Sequence, residues 1–562
     1  MNKRPFTTYA IRRIDKKWND KRIFLIEAPT GYGKSTISAS MALYSLKEEL
    51  KALVVFPLRT LLEDQYDKFL KLTDKSCLGK RYMHNPDSPY LIKPITLTTI
   101  DTLSLVLFGI APEDLQKVIG YYTGTWKSSL GHYLFSWASV AMSNIILDEV
   151  HLLCDTTKSL NFLAALLKIV EENDQRLVLM SATIPEALKK SLKEQSGEIE
   201  IISFNESFDK CFVTERRKKR YEVSLEPLKA NEKLHRILQW IEEEYERFRR
   251  VLVVFNTVKD AIEFYRLLTE RSSKSRLGKT ILLLHSRFSE SDRINKINRL
   301  KEIKNSKEYI VVSTQVIEAG VDISSNLFIT ELAPANSLVQ RLGRFLRYEG
   351  ENEGKIYMWY EVDENGKLLY SHGMYKVYDY DLTSRTLEVI GEKEKINFHL
   401  PSSYSELLNK TYMFEDFKIG QNGVDDLRRI LQNFDLGSLV ALEKFFELEG
   451  SFIREGYIAP VVTEDLIEEY KEENYLKIKP EELSLLVIPI SFNILLKLKP
   501  EKEIILTSGK LQIRETSFLR LNARKRVRIS SLVRYMVRNN VRAFIAAGLY
   551  SSEEGLIVGD QE

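Results

Sequence analysis

Cysteine is scarce: Cys77, Cys154 and Cys211 stand far apart in a chain of 562 residues. Without a Cys-x-x-Cys pair, neither a disulfide framework nor a cysteine-based zinc site is expected. Histidine is nearly as sparse, and none of the seven precedes an aspartate, which argues against a transition-metal cluster. No run of about 18 apolar residues occurs, and Met1-Asn-Lys-Arg-Pro-Phe lacks the apolar core of a signal peptide. The expectation is a soluble, cytoplasmic protein with no membrane partner. Charge of either sign is missing as an excess: 82 basic and 79 acidic residues leave a net +3, so any nucleic-acid surface must be a local patch.

Against that background the stretch Leu25-Ile-Glu-Ala-Pro-Thr-Gly-Tyr-Gly-Lys-Ser-Thr36 stands out. An apolar strand enters a glycine-bearing turn that ends in Lys-Ser and opens a helix. Backbone N–H groups around Gly31 and Gly33, the positive end of the helix dipole and the charge of Lys34 make a cradle for polyphosphate oxygens, with Ser35 placed to hold magnesium. The first position of the G-x-x-x-x-G-K-[ST] pattern is Ala28, a departure of one methyl group. A second apolar strand, Asn144-Ile-Ile-Leu-Asp-Glu-Val-His151, delivers two carboxylates at its carboxyl end, where open α/β sheets place ligands. Asp148 can coordinate magnesium, directly or through water, and Glu149 can orient and deprotonate a water attacking a γ-phosphate. His151 suits coupling better than chemistry.

Strand-like runs alternate with helical patterns from Ile23 to about Phe204, at 23–26, 53–56, 95–98, 145–147 and 177–180. After a basic run, Thr214-Glu-Arg-Arg-Lys-Lys-Arg220, the alternation resumes at 251–255, 281–284, 309–312 and 327–331. Such alternation predicts parallel sheets covered by helices. The fold class is therefore α/β, with two lobes in tandem, over 1–210 and 211–375. Beyond about Leu400, helical segments with turn signals predict a mainly helical C-terminal domain within 376–562. The second lobe has no phosphate loop, so the nucleotide is expected in a shared cleft. The basic run reads equally well as a solvated linker or a nucleic-acid contact.

Ser181-Ala-Thr183 falls at a strand's carboxyl end and can relay the state of Asp148 and Glu149 between lobes. In lobe two, Ser313-Thr-Gln-Val-Ile-Glu-Ala-Gly-Val-Asp-Ile323 carries hydroxyls and an amide suited to a phosphate backbone, then Gly320 and Asp322 in a loop that can face nucleotide. Gln340-Arg-Leu-Gly-Arg-Phe-Leu-Arg347 puts Arg344 and Arg347 three residues apart, on one side of a predicted helix, where both can reach an anionic γ-phosphate.

The order APTGYGKST, FPLRTLLEDQ, TLTTIDTL, DEVH, SAT, VFNT, HSRF, STQVIEAGVDIS and QRLGRFLR resembles the superfamily 2 DExH helicases. STQVIEAGVDIS followed by ITELAPANSLVQRLGR is similar, more narrowly, to the CRISPR-associated helicase-nuclease of type I systems. The resemblance spans roughly residues 20 to 350. It implies two RecA-like lobes and magnesium-dependent ATP binding by Thr30, Gly31, Tyr32, Gly33, Lys34, Ser35 and Thr36. It implies hydrolysis by Asp148 and Glu149, arginine fingers at Arg344 and Arg347, and γ-phosphate sensing by Gln340. Arg59, Thr99, Asp101, Asn256, Ser286, Arg287 and Thr314 would line a single-strand track, with contacts mostly to phosphates. A DNA helicase moving 3′ to 5′ for a CRISPR surveillance complex is what the resemblance implies. A DExH RNA helicase and a nucleotide-gated clamp are the rivals.

No glutamine motif for adenine precedes the phosphate loop. Tyr9 or Phe6 could stack on the base, although each is more often core packing. Members of the family carry an amino-terminal nuclease marked by a His-Asp pair. Here the phosphate loop begins within thirty residues of Met1, so an HD-type nuclease on a separate subunit is expected. Arg520 to Arg528, and Arg534, Arg538 and Arg542, read equally as a nucleic-acid contact or as the solvated face of a packed helix.

Overall fold

The computed structural model describes residues 4–82, 87–110, 133–154, 156–273, 277, 280–318, 320–369, 377–392, 396–432, 437–518 and 528–558. Of the features named above, Met1 to Lys3, His84, His132, Ala319, His372 and residues 520–527 lie outside these. Seven parallel strands form the first sheet: β1 (Ile23–Glu27), β2 (Lys51–Phe56), β3 (Leu78–Arg81), β4 (Ile95–Thr99), β5 (Ser143–Leu147), β6 (Leu177–Ser181) and β7 (Ile199–Ser203), in the order β3-β4-β2-β5-β6-β1-β7. Strands such as β5 and β6 are buried along their whole length. That is why they read as continuous apolar runs rather than alternating ones.

The second sheet is also all parallel, with β8 (Arg220–Leu228), β9 (Arg250–Val254), β10 (Ile281–Leu284), β11 (Tyr309–Ser313), β12 (Leu327–Glu331) and β13 (Glu353–Glu361) ordered β10-β11-β9-β12-β13-β8. The two-lobe α/β expectation is borne out. Missed in the sequence were β3, β7, β8 and β13. The edge strand β8 carries charged residues and is exposed or half-exposed along all but its last residue, as edge strands are, and so looks like linker.

The helix Thr157–Glu172 shows how the third region is seated. Its run Phe162-Leu-Ala-Ala-Leu-Leu167 is buried on every side, so it needs cover opposite the sheet. The helix Gln421–Gln432 supplies that cover through Val424, Leu427 and Ile430. Each fully buried Leu or Phe contributes about 1.5–3 kcal/mol. The C-terminal region opens with the helices Tyr380–Glu392, Pro401–Thr411, Gln421–Gln432 and Gly437–Glu447. It then adds a sheet that the sequence reading did not foresee: β14 (Ile458–Thr463), β15 (Lys471–Glu472), β16 (Tyr475–Leu476), β17 (Ile488–Ser491), β18 (Lys502–Thr507), β19 (Lys510–Glu515) and β20 (Val541–Ala546). The strands are short and mostly antiparallel, interrupted by helices, so no long periodic signal arises. Arg534 and Arg538 lie on the solvent side of the helix Ile529–Asn539, which packs through Leu532, Val533 and Met536. Arg542 is on β20 rather than the helix, because left-handed Asn540 ends it.

A hairpin of β21 (Leu549–Ser551) and β22 (Gly555–Ile557) returns to lobe two. Leu556 N–H donates to the Arg287 carbonyl at 2.9 Å. His285 Nε2 donates to the Glu554 carbonyl at 2.9 Å, and its Nδ1 accepts the Arg287 N–H at 3.1 Å. Both ring nitrogens are therefore committed in the neutral form, and burial holds the imidazole down at about 3. An unfolded histidine titrates near ~6.5, so between those values the unfolded chain binds the extra proton and stability rises with pH. The urea midpoint is expected to fall as pH is lowered through about 6.5 toward 4. His285→Asn should flatten that fall, as denaturation at pH 5 and pH 7 would measure.

Candidate active site

Strand order brings three distant stretches of chain together. β1 neighbours β6, and β6 neighbours β5, so the loops leaving all three share one sheet edge. The phosphate loop turns through left-handed Gly31 (φ 73°) and Gly33 (φ 108°) into the helix Lys34–Lys47, conformations strained for any residue with a side chain. Tyr32, between them, is buried. Its hydroxyl accepts the Phe6 N–H at 3.1 Å and donates to Asp209 at 2.9 Å, tying the loop to the helices Pro5–Lys17 and Lys210–Arg217. Phe6 is fully buried among Tyr32, Phe204 and Phe208, so packing occupies it, whereas Tyr9 touches Phe208 and stays exposed.

Lys34 is nearly buried, and its Nζ lies 3.2 Å from Glu149 Oε1. The Asp148 carboxylate, also buried, accepts the Glu149 N–H at 2.9 Å. Burial and the neighbouring Glu149 charge push the Asp148 carboxyl up to about 7. Burial acts on Glu149 in the same sense, but Lys34, with Arg347, outweighs it and holds that carboxyl below the usual glutamate range. A dication beside Asp148 would relieve the crowding of like charge. The hard oxygens of Asp148 and Ser35 fit magnesium. Glu149 has a left-handed backbone (φ 52°, ψ 47°), a strained state typical of functional positions.

From Glu149 a polar chain leads across the cleft. His151 Nδ1 lies 3.4 Å from Glu149 Oε2 and 3.0 Å from Ser181 Oγ. Ser181 gives its own proton to the Thr183 carbonyl at 3.0 Å, so the imidazole is the donor. Burial keeps that imidazole neutral, down at about 4. The Thr183 hydroxyl then donates to Asn336 Oδ1 at 2.9 Å and lies 3.4 Å from Gln340 Nε2, both on lobe two. Asn336 carried no signal in the sequence.

On the far side the helix Ala335–Leu342 stops before Gly343. The expected helical face shared by Arg344 and Arg347 is therefore corrected: both lie beyond the helix, in a segment that bridges to Ser325 and turns through left-handed Leu346. Arg344 points inward and donates to the carbonyls of Ile317 (3.1 Å) and Glu318 (3.0 Å), which holds the preceding loop. Arg347 pairs with Asp322 at 3.2 Å and acts electrostatically on Glu149. Arg341, absent from the predicted set, is fully buried. It binds Glu318, Thr330, Asn256 and the Tyr378 hydroxyl, all within 3.1 Å. A Cβ on Gly343 would lie 3.4 Å from Thr30, which puts this turn directly over the phosphate loop.

The predicted track residues fare unevenly. Asn256 is consumed inside lobe two, donating to the Leu332 carbonyl and accepting from Arg341. Thr314 is buried, and Thr99 caps the helix Ile100–Leu107. Asp101 holds Arg454 in a two-pronged ion pair of 2.6 and 2.7 Å. Arg59 stands over the Tyr82 ring with Glu290 of lobe two 3.8 Å away. Ser286 is exposed and Arg287 half-buried beside it. Among the described residues, no helix is long and apolar enough to cross a membrane.

Comparison with known proteins places these motifs. Residues 4–191 match the DEAD/DEAH box helicase family, and residues 247–350 match the C-terminal part of the CRISPR-associated nuclease/helicase Cas3. A putative CRISPR-associated nuclease/helicase Cas3 of Methanocaldococcus jannaschii is 26% identical over 516 residues, covering 82% of this chain. The chain spans 65% of that relative's length. The structure of T. fusca Cas3 with ATP superposes with a TM-score of 0.68 at 15% identity, over 99% of this chain and 71% of that one. A chain of a CRISPR RNA-guided surveillance complex, pre-nicking, matches with a TM-score of 0.60 at 15% identity, over 98% and 70%. The resemblance read from the motif order is thus borne out.

Gly320 gives a direct test of how closely the lobes must meet. Its φ is 77°, and a Cβ there would lie 2.6 Å from Thr60 Oγ1 of lobe one. Gly320→Ala is expected to hold the cleft open and to lower ATPase activity on the order of tenfold, a cost of about 1.4 kcal/mol in the closed state. Adding Thr60→Ala should restore part of the loss. A steady-state ATPase assay of the single and double variants measures both.

Proposed function

We propose that the chain is an ATP-driven single-strand translocase and DNA helicase of a type I CRISPR antiviral system, built from lobes over 1–210 and 211–375 and an accessory region over 376–562. One observation carries the reading. Lys34, Asp148 and Glu149 of lobe one are gathered at a cleft whose other wall is Gln340, Gly343 and Arg347, and Thr183 joins the two walls. The matches to helicase and Cas3 families over the same stretches support it.

The chemistry follows from the geometry. Lys34 exchanges its contact with Glu149 for the phosphate chain held by the loop from Thr30 to Thr36. Glu149, then released from Lys34, orients the attacking water and takes its proton. Ser35 and Asp148 would hold magnesium, which would supply charge neutralisation for the phosphate oxygens. Arg347 turns from Asp322 toward the charge that develops on the transferred phosphoryl group, and Gln340 reports closure to Thr183. Arg344 keeps the loop bearing Gly320 and Asp322 in place. Cycles of closure and opening move a single strand, gripped through its phosphates by residues such as Arg59, Ser286 and Arg287. Unwound DNA passes to an HD-type nuclease on a separate subunit, within reach of a CRISPR surveillance complex.

Lys34→Ala should abolish ATP binding and unwinding together. Glu149→Gln keeps the shape but loses the base, so it should bind ATP and single strands while hydrolysis stops. Wild-type turnover in Glu149→Gln would overturn the assignment. Arg347→Ala is expected to cost turnover on the order of 10³ if it acts as a finger, with an unchanged unfolding temperature. Arg344→Ala should instead lower thermal stability by removing the loop's anchor. Stimulation of ATPase activity by single-stranded DNA but not RNA, with unwinding of a forked duplex, distinguishes the DNA helicase from the RNA rival.

A further inference from the structure

The basic run between the lobes, 214–220, splits into two kinds of residue. Arg217, Lys218 and Arg220 are exposed, whereas Arg216 and Lys219 are buried. Lys219 is fully satisfied: its Nζ donates to the carbonyls of Leu346 (2.5 Å) and Glu351 (3.2 Å) and pairs with Glu215 at 3.3 Å. Arg216 is not. Its Nε makes no hydrogen bond, and its nearest carboxylate, on Glu215, is 3.9 Å away and shared with Lys219.

The surroundings of Arg216 ask for an anion. The guanidinium lies over the Phe212 ring, and its Nη2 sits 3.6 Å from where a side chain on Gly31 of the phosphate loop would begin. Burial depresses its basicity, and Arg347 and Arg4 add to that, with only partial relief from Glu215. Two further buried polar atoms, Tyr404 Oη and His399 Nε2, also lack hydrogen bonds and are electrostatic neighbours of Arg216. A buried cation flanked by other cations and lacking a close counter-charge is costly in isolation. A polyphosphate at Gly31 would supply both the charge and the acceptors.

We infer that Arg216, from the connector between the lobes, is a phosphate-binding residue that contacts the phosphate chain of the nucleotide beside Gly31. The inference rests on the nucleotide-site reading above. It gives the basic run a function that neither a solvated linker nor a nucleic-acid contact provides. Because Lys219 on the same segment grips the carbonyls that follow Arg344, a nucleotide contact at Arg216 also ties the connector's position to the nucleotide.

Binding of a fluorescent ATP analogue, competed with ATP, AMP and inorganic tripolyphosphate, tests the assignment in Arg216→Met and Arg216→Lys, with Lys34→Ala alongside. A charge-assisted contact corresponds to roughly a ten- to hundredfold loss of affinity. Arg216→Met is expected to lose that much for ATP and tripolyphosphate, to leave AMP competition unchanged, and to raise KM more than it lowers kcat. Arg216→Lys should recover part of the loss. Without nucleotide, Arg216→Met should melt no lower than wild type, since it removes a poorly paired buried charge. ATP affinity within twofold of wild type in Arg216→Met, or equal loss for AMP and ATP with a lowered melting temperature, would overturn the assignment. If Lys34→Ala also leaves affinity unchanged, it is the nucleotide site itself that falls.

Discussion

Lys34 and Glu149, 3.2 Å apart and almost out of water, set the terms for everything around them. A buried ion pair of this kind is poor evidence of stability, because desolvation of two charges can exceed their attraction. Its value lies in placement. Two carboxylates side by side at a strand end repel each other, and the consequence is visible in Asp148, pushed up to about 7 while Glu149 stays ionised. That division requires Lys34 to face Glu149 rather than Asp148. The order β5-β6-β1 permits this, since it puts the loops after β5 and β1 on either side of β6. On the proposed reading, a polyphosphate that draws Lys34 away frees Glu149 at the moment a base is needed.

Beside the same pair runs a set of polar contacts that crosses from lobe one to lobe two. His151, 3.4 Å from Glu149 without a hydrogen bond to it, is bonded to Ser181, Ser181 to Thr183, and Thr183 meets Asn336 and Gln340. Each link is neutral or singly charged, so the chain carries position without moving a proton. An individual hydrogen bond of this sort contributes only about 0.5–1.5 kcal/mol net. Lobe closure held by so few polar contacts is easily reversed, which a cycling motor requires and a rigid scaffold would not. Gly343 over Thr30 and Gly320 against Thr60 add close backbone approach, which bulk at either position would prevent.

Legibility in the sequence followed the length scale of the signal. The phosphate loop, the DEVH strand and SAT are contiguous stretches whose chemistry is local, so their residues could be named and their meeting at one sheet edge anticipated from alternation of strand and helix. Contacts made by single residues at long range were not legible. Arg341 looks like any other arginine in a basic stretch, yet it is fully buried and organises Glu318, Thr330 and Asn256. Arg344 was expected at the phosphates because a continuous helix was assumed past Gly343. The helix ends one residue earlier, and the side chain turns to backbone carbonyls. The basic run at 214–220 was ambiguous for the same reason: burial separates Arg216 and Lys219 from their neighbours, and composition carries no burial.

The C-terminal region completes the frame by holding both lobes, lobe one chiefly through the apolar face of the helix Gln421–Gln432, with Ser191 and Asn161 bonded to the region's backbone. Toward lobe one, Arg454 reaches Asp101 through an ion pair exposed by more than a third on each side, the kind that contributes about 0–1 kcal/mol. Apolar contact supports it, with Phe452 against Phe108 at 4.6 Å between ring centres. Toward lobe two, the hairpin from Leu549 to Ile557 covers His285, accepting at the Glu554 carbonyl from its Nε2 and donating from Leu556 N–H to the Arg287 carbonyl, while lobe two's own Arg287 N–H holds Nδ1. A buried network loses more than the net worth of each bond when one member is removed, because its partners are left unsatisfied. The hairpin and the Arg454 pair are thus polar attachments of different kinds, one a network around a buried imidazole and the other a part-exposed ion pair. Asp101, which the motif order assigned to the single-strand track, thus serves in this structure as the lobe-one end of a contact to the C-terminal region.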